Sequence, residues 1–220
     1  MAGTRYEMYC AVARALEVLG ERWTLLLVRE LLTGPKRFAD LQAGLPGIAS
    51  NMLTDRLRSL QDAGAVTQHA LPPPAPATVY RLTERGEALR PVLHALAGWG
   101  LPLLAAPRPD EQFRLAWLMV ALDGSYDPAT TPEPITIAVT VDGETIAVHA
   151  HGQRHEVTVG VPDHADLRLT GDRLTFLAWA TGQLSDREAR RRGLSAVPAR
   201  GTLTRLRRMY RIAAAAPPVS

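Results

Sequence analysis

Residues 38–63 decide the fold of the N-terminal half, and they read FADLQAGLPGIASNMLTDRLRSLQDA. Phe38–Ala43 has apolar residues at helical spacing and is followed by Gly44, which predicts a short helix that stops there. Ser50–Ala63 continues the same spacing over a longer stretch and predicts a second helix with Ser50 as its N-cap. A short helix, a glycine-containing turn and a second helix predict a helix-turn-helix.

The segments on either side complete a winged helix-turn-helix. Two further helices are predicted before it and two short strands after it, with a proline-rich loop between the strands that would form the wing. Thr83 is expected to cap a final helix that reaches Trp99, although Pro91 should kink that helix or shift its start. The flanking ranges are Cys10–Leu19 and Trp23–Leu32 for the helices, and Ala65–Ala70 and Thr78–Leu82 for the strands.

The Ser50–Ala63 helix has two chemically distinct faces. Leu53, Leu57 and Leu60 share one face, which is expected to pack on the preceding helices. The opposite face is polar, and asparagine and arginine are the side chains that pair bidentately with adenine and guanine in the major groove. Arg56 lies nearer the apolar flank and is expected to bond a phosphate or a neighbouring helix. The candidate DNA contacts on this helix are Ser50, Asn51, Met52, Thr54, Asp55, Arg56 and Arg58.

Four residues outside that helix are further candidates for contact with DNA. Lys36 and Arg37 precede the short helix, where cations can reach phosphates beside the groove. His69 and Arg81 lie at the base of the predicted wing. The alternative interpretation, for these residues and for the polar helix face, is an ordinary solvated surface. The order of helix, turn, helix and wing favours DNA binding.

Eight short blocks of the N-terminal half resemble the HxlR-type winged-helix regulators over about residues 8–100. The resemblance implies a transcription regulator that binds double-stranded DNA as a homodimer, joined through its first and last helices, on a near-palindromic operator. One departure is the wing, which reads LPPPAP at 71–76 where the family usually carries charge. The blocks are CAV at 10–12, LEVLG at 16–20, RWTLLL at 22–27, REL at 29–31, RFADL at 37–41, LPGI at 45–48, MLTDRL at 52–57 and YRLTERG at 80–86.

Cys10, the single cysteine of the chain, has two interpretations. In some HxlR-type regulators a cysteine near this position senses oxidants or electrophiles, so the resemblance makes Cys10 a candidate redox residue. A sensing thiol needs exposure and a lowered pKa, which Arg14 one helical turn later could supply. The alternative is a small buried apolar residue on the helix that forms the dimer.

The second half of the chain has a different pattern, which predicts an α+β domain. We place the winged-helix domain at residues 1–105, a linker at 106–111 and the second domain at 112–220. In that domain Asp142-Gly143 is a strong hairpin signal between two alternating strands. Its predicted elements are helices at Phe113–Leu122, Leu174–Thr181, Ser185–Arg192 and Leu203–Ile212, and strands at Ile135–Val141, Thr145–His151, Arg154–Val161 and Ala165–Leu169.

This second domain resembles sterol carrier protein domains over about residues 112–213. The resemblance rests on residues 166–172, 176–182, 188–189 and 203–206, and it implies a tunnel for an apolar molecule between sheet and helices. Bulky residues on the predicted helices could line such a pocket, or they could simply fill the core. The candidate pocket residues are Trp117, Val120, Phe176, Leu177, Trp179 and Leu184.

Composition and motifs narrow the function classes. The net charge of +3 permits a nucleic-acid partner without requiring one, and no apolar stretch is long enough to span a membrane, so we expect a cytoplasmic protein. The sequence contains no phosphate loop and no nucleophile elbow, so its motifs do not indicate an enzyme, and no cofactor is expected. A metal site is not expected either, because Gly152 separates His155 from His149 and His151. The favoured function is a dimeric repressor controlled by a small apolar ligand; the alternatives are a lipid-binding or interaction protein, or an enzyme that uses the C-terminal pocket.

Overall fold

The structure is a computed structural model, and it describes residues 5–71, 77–104 and 111–211. The chain forms two compact units that divide in sequence between Leu93 and His94. This division falls inside a helix, upstream of the boundary at residue 105 that the sequence suggested. The predicted wing loop at 72–76 and most of the predicted linker at 106–111 lie outside the described residues.

The N-terminal unit has the predicted helix-turn-helix followed by two strands. Ser50 is the first residue of its helix and Ala49 is the N-cap, so the predicted capping role of Ser50 is wrong. Thr83 does cap, since its Oγ1 accepts a hydrogen bond from the Gly86 amide at 3.2 Å. The described elements are α1 (Ala11–Leu19), α2 (Thr24–Leu32), β1 (Lys36–Arg37), α3 (Phe38–Gly44), α4 (Ser50–Asp62), β2 (Val66–Leu71), β3 (Ala77–Leu82), α5 (Glu84–Glu87) and α6 (Arg90–Gly100).

Two features of this unit differ from the predicted elements. The long final helix is interrupted, because α5 ends at Glu87 and α6 begins at Arg90, with Pro91 in the first turn where proline is tolerated. Lys36 and Arg37 form a two-residue strand, β1, at a place where the sequence predicted no strand. The strand β1 pairs with β3, which gives a three-stranded antiparallel sheet in the order β1-β3-β2.

The C-terminal unit is an α+β layer, as predicted. Its five-stranded sheet has the order β6-β5-β4-β7-β8, in which β4 and β7 are parallel and the other neighbours are antiparallel. Asp142 and Gly143 both have positive φ, which is the backbone of the tight hairpin turn that the sequence predicted. The elements are α7 (Met119–Ser125), β4 (Ile135–Val141), β5 (Glu144–His151), β6 (Arg154–Val159), β7 (Leu167–Gly171), α8 (Arg173–Ala180), α9 (Asp186–Arg191), β8 (Ser195–Val197) and α10 (Thr202–Met209).

The core of the C-terminal unit lies between one face of the sheet and its helices. Ile137 and Val139 alternate along β4 toward this core, where Phe176 of α8 and Leu206 of α10 are also buried. The predicted helix Phe113–Leu122 begins instead as a 3₁₀ turn at Leu115 and becomes α-helical at Met119. None of the helices in the described part of the chain is long and apolar enough to cross a bilayer.

Replacing Gly86 with alanine should destabilise the N-terminal unit by about 1–3 kcal/mol, as overpacking usually does. The reason is that a Cβ at Gly86 would lie 2.1 Å from the backbone oxygen of Ala65. Gly98→Ala is the matched control, since a Cβ there would meet nothing within 4 Å. It should leave stability unchanged or raise it by up to ~1 kcal/mol. Urea unfolding followed by circular dichroism measures both variants, and equal stability of the two would contradict the close approach at Gly86.

Candidate nucleic-acid interface and ligand site

The helix α4 has the two faces that the sequence predicted. Leu53, Leu57 and Leu60 are buried in the N-terminal unit. Asn51 and Arg58 are exposed, and so are Ser50, Thr54 and Asp55, whereas Met52 is half-buried. Burial of the leucine face leaves the polar face free for a partner.

Hydrogen bonds fix the start of α4. Gln42 of α3 donates from Nε2 to Ser50 Oγ at 2.8 Å, and Thr54 Oγ1 donates to the Ser50 carbonyl oxygen at 2.9 Å. Asn51 Oδ1 accepts from the Met52 amide at 2.8 Å. These bonds hold Ser50 and Thr54 in place, and Asn51 keeps its side-chain NH₂ as a donor toward solvent.

Arg56 and Arg58 have different environments although they are two residues apart. Arg56 is 17% exposed, and its Nη2 lies 3.2 Å from Glu21 Oε2, so it ties α4 to the segment before α2. The sequence suggested a phosphate or a neighbouring helix as the partner of Arg56, and in the structure the partner is Glu21, in the turn between α1 and α2. Arg58 is exposed on the polar face. Of these two arginines, Arg58 is therefore the better candidate for reading a base.

The strand β1 brings a basic side chain to the wing sheet. Arg37 is opposite Val79 of β3, and His69 of β2 is opposite the same residue. Arg81 is two residues further along β3, so by register Arg37, His69 and Arg81 share one face of the sheet. All three are exposed, whereas Lys36 is half-buried and lies on the other face, opposite Tyr80. A two-residue strand has no periodicity of its own, so this grouping could not be predicted from the sequence.

Comparison with known proteins connects this geometry to a family. The model of the HxlR-like helix-turn-helix family matches residues 18–106. The HTH-type transcriptional regulator YvaP of Bacillus subtilis is 34% identical over 93 residues, which is 42% of this chain and 86% of that protein. The chain belongs to the HxlR-like helix-turn-helix family.

Other similar proteins carry the same kind of name. The regulator YodB of Bacillus subtilis is 36% identical over 85 residues, covering 39% of this chain and 76% of that protein. The solved reduced form of YodB aligns with a TM-score of 0.40 at 32% identity, covering 46% of this chain and 100% of that one. The relatives are named as HTH-type transcriptional regulators and not as enzymes, so this HxlR-like chain is a DNA-binding transcription regulator.

Cys10 of this HxlR-like regulator is an exposed thiol at the N-terminus of α1. Hydrogen bonds from the backbone amides of Ala13 and Val12 hold the pKa of the Cys10 thiol below its usual value. Arg14, which the sequence suggested as the source of this effect, pairs instead with Glu17 at 3.1 Å. Within the single chain Cys10 is exposed, and the alternative of burial on the helix that forms the dimer stays a prediction.

The C-terminal unit contains two neighbouring cavities, which we call the inner and the outer cavity. The inner cavity is about 80 Å³ and lies between the sheet, α8 and α10; the outer cavity is about 280 Å³ and includes residues of α6, α7 and α8. Leu122, Phe176 and Ala180 line both. The inner cavity is lined by Leu122, Ile137, Val139, Val148, Leu169, Phe176, Trp179, Ala180, Leu206, Arg207 and Tyr210.

Three of the six predicted pocket residues line a cavity, and the other three do not. Phe176 lines both cavities, Trp179 lines the inner cavity and Leu177 lines the outer one. Val120 and Leu184 are buried elsewhere in the unit, and Trp117 is half-buried outside both linings. The sequence missed Tyr210 and Arg207, because both lie in a basic, polar stretch that shows no sign of facing a cavity.

The histidines at 149, 151 and 155 have different surroundings. His149 and His151 are exposed, and His149 Nδ1 lies 3.1 Å from Thr136 Oγ1. His155 faces Asp123 and Tyr210 instead. Within the described ranges no group of three or more His, Cys, Asp or Glu side chains could hold a metal ion.

Replacing Arg58 with alanine should weaken binding to the operator by about 1–3 kcal/mol if the guanidinium reads a base. The matched control is Arg208→Ala, which removes the same charge from an exposed site on α10. Fluorescence anisotropy on the duplex upstream of the gene, and on a random duplex of equal length, measures both variants. An equal loss on both duplexes would identify Arg58 as a phosphate contact.

Cys10 should be alkylated by iodoacetamide with a rate that rises at a lower pH than the rate of free cysteine. The reason is that a lowered pKa places more of the thiol in the thiolate form, which is the nucleophile. The rate is followed by mass spectrometry of the intact protein between pH 6 and pH 10, with Cys10→Ser as the background. A rate profile identical to that of free cysteine would contradict the lowered pKa.

Proposed function

We propose that this protein is a homodimeric repressor that reads a near-palindromic operator with α4 and is controlled by a small apolar molecule in its C-terminal unit. The observation that supports operator reading is the exposed polar face of α4, which carries Asn51, Thr54 and Arg58. Hydrogen bonds to Ser50 fix the first turn of this helix. Arg37, His69 and Arg81 on the wing sheet are proposed to contact phosphates. The protein is proposed to act in the cytoplasm.

Two apolar stripes that are exposed in the described part of the chain support a dimer. On α1 and the residue before its N-cap, Tyr9, Val12 and Leu16 are exposed at helical spacing. On α6, Val92, Leu96 and Trp99 are exposed in the same way. Exposed stripes of this kind mark interaction sites, because leaving them in water is unfavourable. A twofold interface through these helices would bury the same residues of both copies.

A twofold dimer also gives the operator its form. Two copies of α4 related by the dimer axis would enter successive major grooves about 34–36 Å apart. Each copy would meet the same half-site in opposite orientation, so a near-palindromic sequence follows from the symmetry. Repression is the proposed outcome, since a dimer on an operator that overlaps a promoter would exclude other proteins from the same DNA.

The C-terminal unit is proposed to resemble sterol carrier protein domains in holding an apolar molecule. The inner cavity between sheet and helices and the outer cavity beside it support this, because their walls are largely hydrocarbon and aromatic. Ligand sites in proteins are concave and mostly apolar, with a few polar groups that fix orientation. Cys10, exposed and with a lowered pKa, is proposed as a second, redox input.

Replacing Leu16 with glutamate should convert the dimer to a monomer and weaken binding to the operator. The reason is that two charges would face each other across a twofold interface in an apolar setting. Ala11→Glu is the matched control, since Ala11 is exposed on α1 but lies away from the stripe. Light scattering after size exclusion gives the mass of each variant. A wild-type protein that is monomeric at the concentration that saturates the operator would overturn the dimer.

A further inference from the structure

A chain of three polar side chains runs from α7 to the wall of the inner cavity. Asp123 Oδ1 lies 3.1 Å from His155 Nδ1, and His155 Nε2 lies 3.2 Å from the Tyr210 hydroxyl. The His155 side chain is 4% exposed, and its ring stacks on Tyr126 with centroids 4.3 Å apart. Asp123 Oδ2 lies 3.0 Å from Nε2 of His94 on α6. The ring of His155 is therefore held on both edges and on one face.

The order of donors and acceptors along this chain follows from Asp123. An ionised carboxylate can only accept, so Nδ1 of His155 carries the hydrogen. In the neutral tautomer with the hydrogen on Nδ1, the Nε2 atom is an acceptor, and the hydrogen between it and Tyr210 then comes from the phenol. Burial raises the pKa of Tyr210 above its usual value, with Tyr126 and Asp123 adding to the effect, so the phenol keeps its proton.

In this tautomer Tyr210 donates its one hydroxyl hydrogen to His155 Nε2. What Tyr210 can still offer to a molecule beside it is a lone pair on oxygen. The hydroxyl of Tyr126 has other partners than that of Tyr210. It lies within hydrogen-bond distance of Thr131 Oγ1 and donates to the Gly152 carbonyl oxygen at 2.8 Å. Of these two phenols, Tyr210 is the one that lines the inner cavity.

The charged residue on the wall of the inner cavity is already neutralised. Arg207 donates from Nε to Asp186 Oδ1 at 2.9 Å, and it lies 5.2 Å above the centre of the Trp179 ring. Trp179 Nε1 donates to the same carboxylate at 2.8 Å. Burial alone would raise the pKa of Asp186, but hydrogen bonds to its oxygens outweigh burial and hold the pKa below its usual value. Asp186 therefore stays ionised, and an anionic ligand would meet a balanced pair rather than a free cation.

We propose that the inner and outer cavities bind one neutral, mostly apolar molecule that carries a single hydroxyl, and that this hydroxyl donates to the Tyr210 oxygen. The inference deepens the ligand control proposed above and rests on it. Asp123 and His155 act as positioning residues, since they turn the Tyr210 phenol into an acceptor. A cavity of ~150 Å³ holds benzene. The inner cavity alone is smaller than that, so the molecule extends past Phe176 into the outer cavity.

The test uses three probes of one shape on the full-length protein: 4-ethylphenol, ethylbenzene and 4-ethylbenzoate. Isothermal titration calorimetry gives each Kd. 4-Ethylphenol should bind about two- to tenfold more tightly than ethylbenzene, since one net hydrogen bond contributes about 0.5–1.5 kcal/mol. 4-Ethylbenzoate should bind more weakly than 4-ethylphenol, because its carboxylate has no hydrogen to donate. The arginines in the two linings, Arg207 and Arg211, are already paired with Asp186 and Asp127.

Two variants connect the preference to the proposed residues. Tyr210→Phe should remove the advantage of 4-ethylphenol and leave ethylbenzene unchanged. Ala180→Trp should fill the shared wall of the cavities and abolish binding of both probes. Thermal unfolding and operator binding of each variant report whether it is folded, and Tyr210→Thr is the substitute if Tyr210→Phe does not fold.

The outcomes separate this inference from the function on which it rests. If 4-ethylphenol and ethylbenzene bind the wild type equally, the apolar cavity stands and the assignment of Tyr210 as acceptor is overturned. The same conclusion follows if Tyr210→Phe keeps the preference for 4-ethylphenol. If none of the probes binds to a protein that still binds its operator, or if Ala180→Trp binds both as well as the wild type, ligand binding in these cavities is overturned.

Discussion

Burial of the leucine face of α4 is the constraint on which the DNA-binding half depends. Leu53, Leu57 and Leu60 are fully or almost fully buried, so the rotation of α4 about its own axis is fixed. Residues three and four apart share a helix face, and burying one face therefore determines which side chains the opposite face presents. Asn51 and Arg58 are exposed because they lie on the face of α4 opposite the buried leucines. Any loss of this packing would change what the helix offers to DNA.

In the C-terminal unit a carboxylate has a comparable role. Asp186 accepts hydrogen bonds from Trp179 of α8, from Thr204 of α10 and from Arg207 of α10, so it connects three helices around one side chain. Ser185 caps α9 directly before it, through a bond to the Glu188 amide at 3.3 Å. Helices joined in this way can border a cavity without closing it, since polar bonds at the rim replace some of the apolar packing inside.

Much of the fold could be predicted because its elements have local signals. The alternation of Ile135–Val141 and the Asp142-Gly143 turn gave the β4–β5 hairpin, and the Thr83 cap marked the end of the wing. Shorter elements had no such signal. The strand β8 is three residues long and pairs with β7, and β1 is two residues long and pairs with β3. Strands of that length exist because a partner strand is present, which sequence periodicity does not report.

The sequence by itself determined that the first half is a winged helix-turn-helix and that its polar face lies on Ser50–Ala63, because helical spacing and turn residues are local properties. Tertiary structure alone decided how residues far apart in sequence meet. It supplied Glu21 as the partner of Arg56, which helical spacing had placed nearer the apolar flank without naming a partner, and it left Arg58 exposed. It also brought Asp123, His155 and Tyr210 into one hydrogen-bonded chain beside a cavity. Such contacts depend on the path of the whole chain, and no stretch of neighbouring residues encodes them.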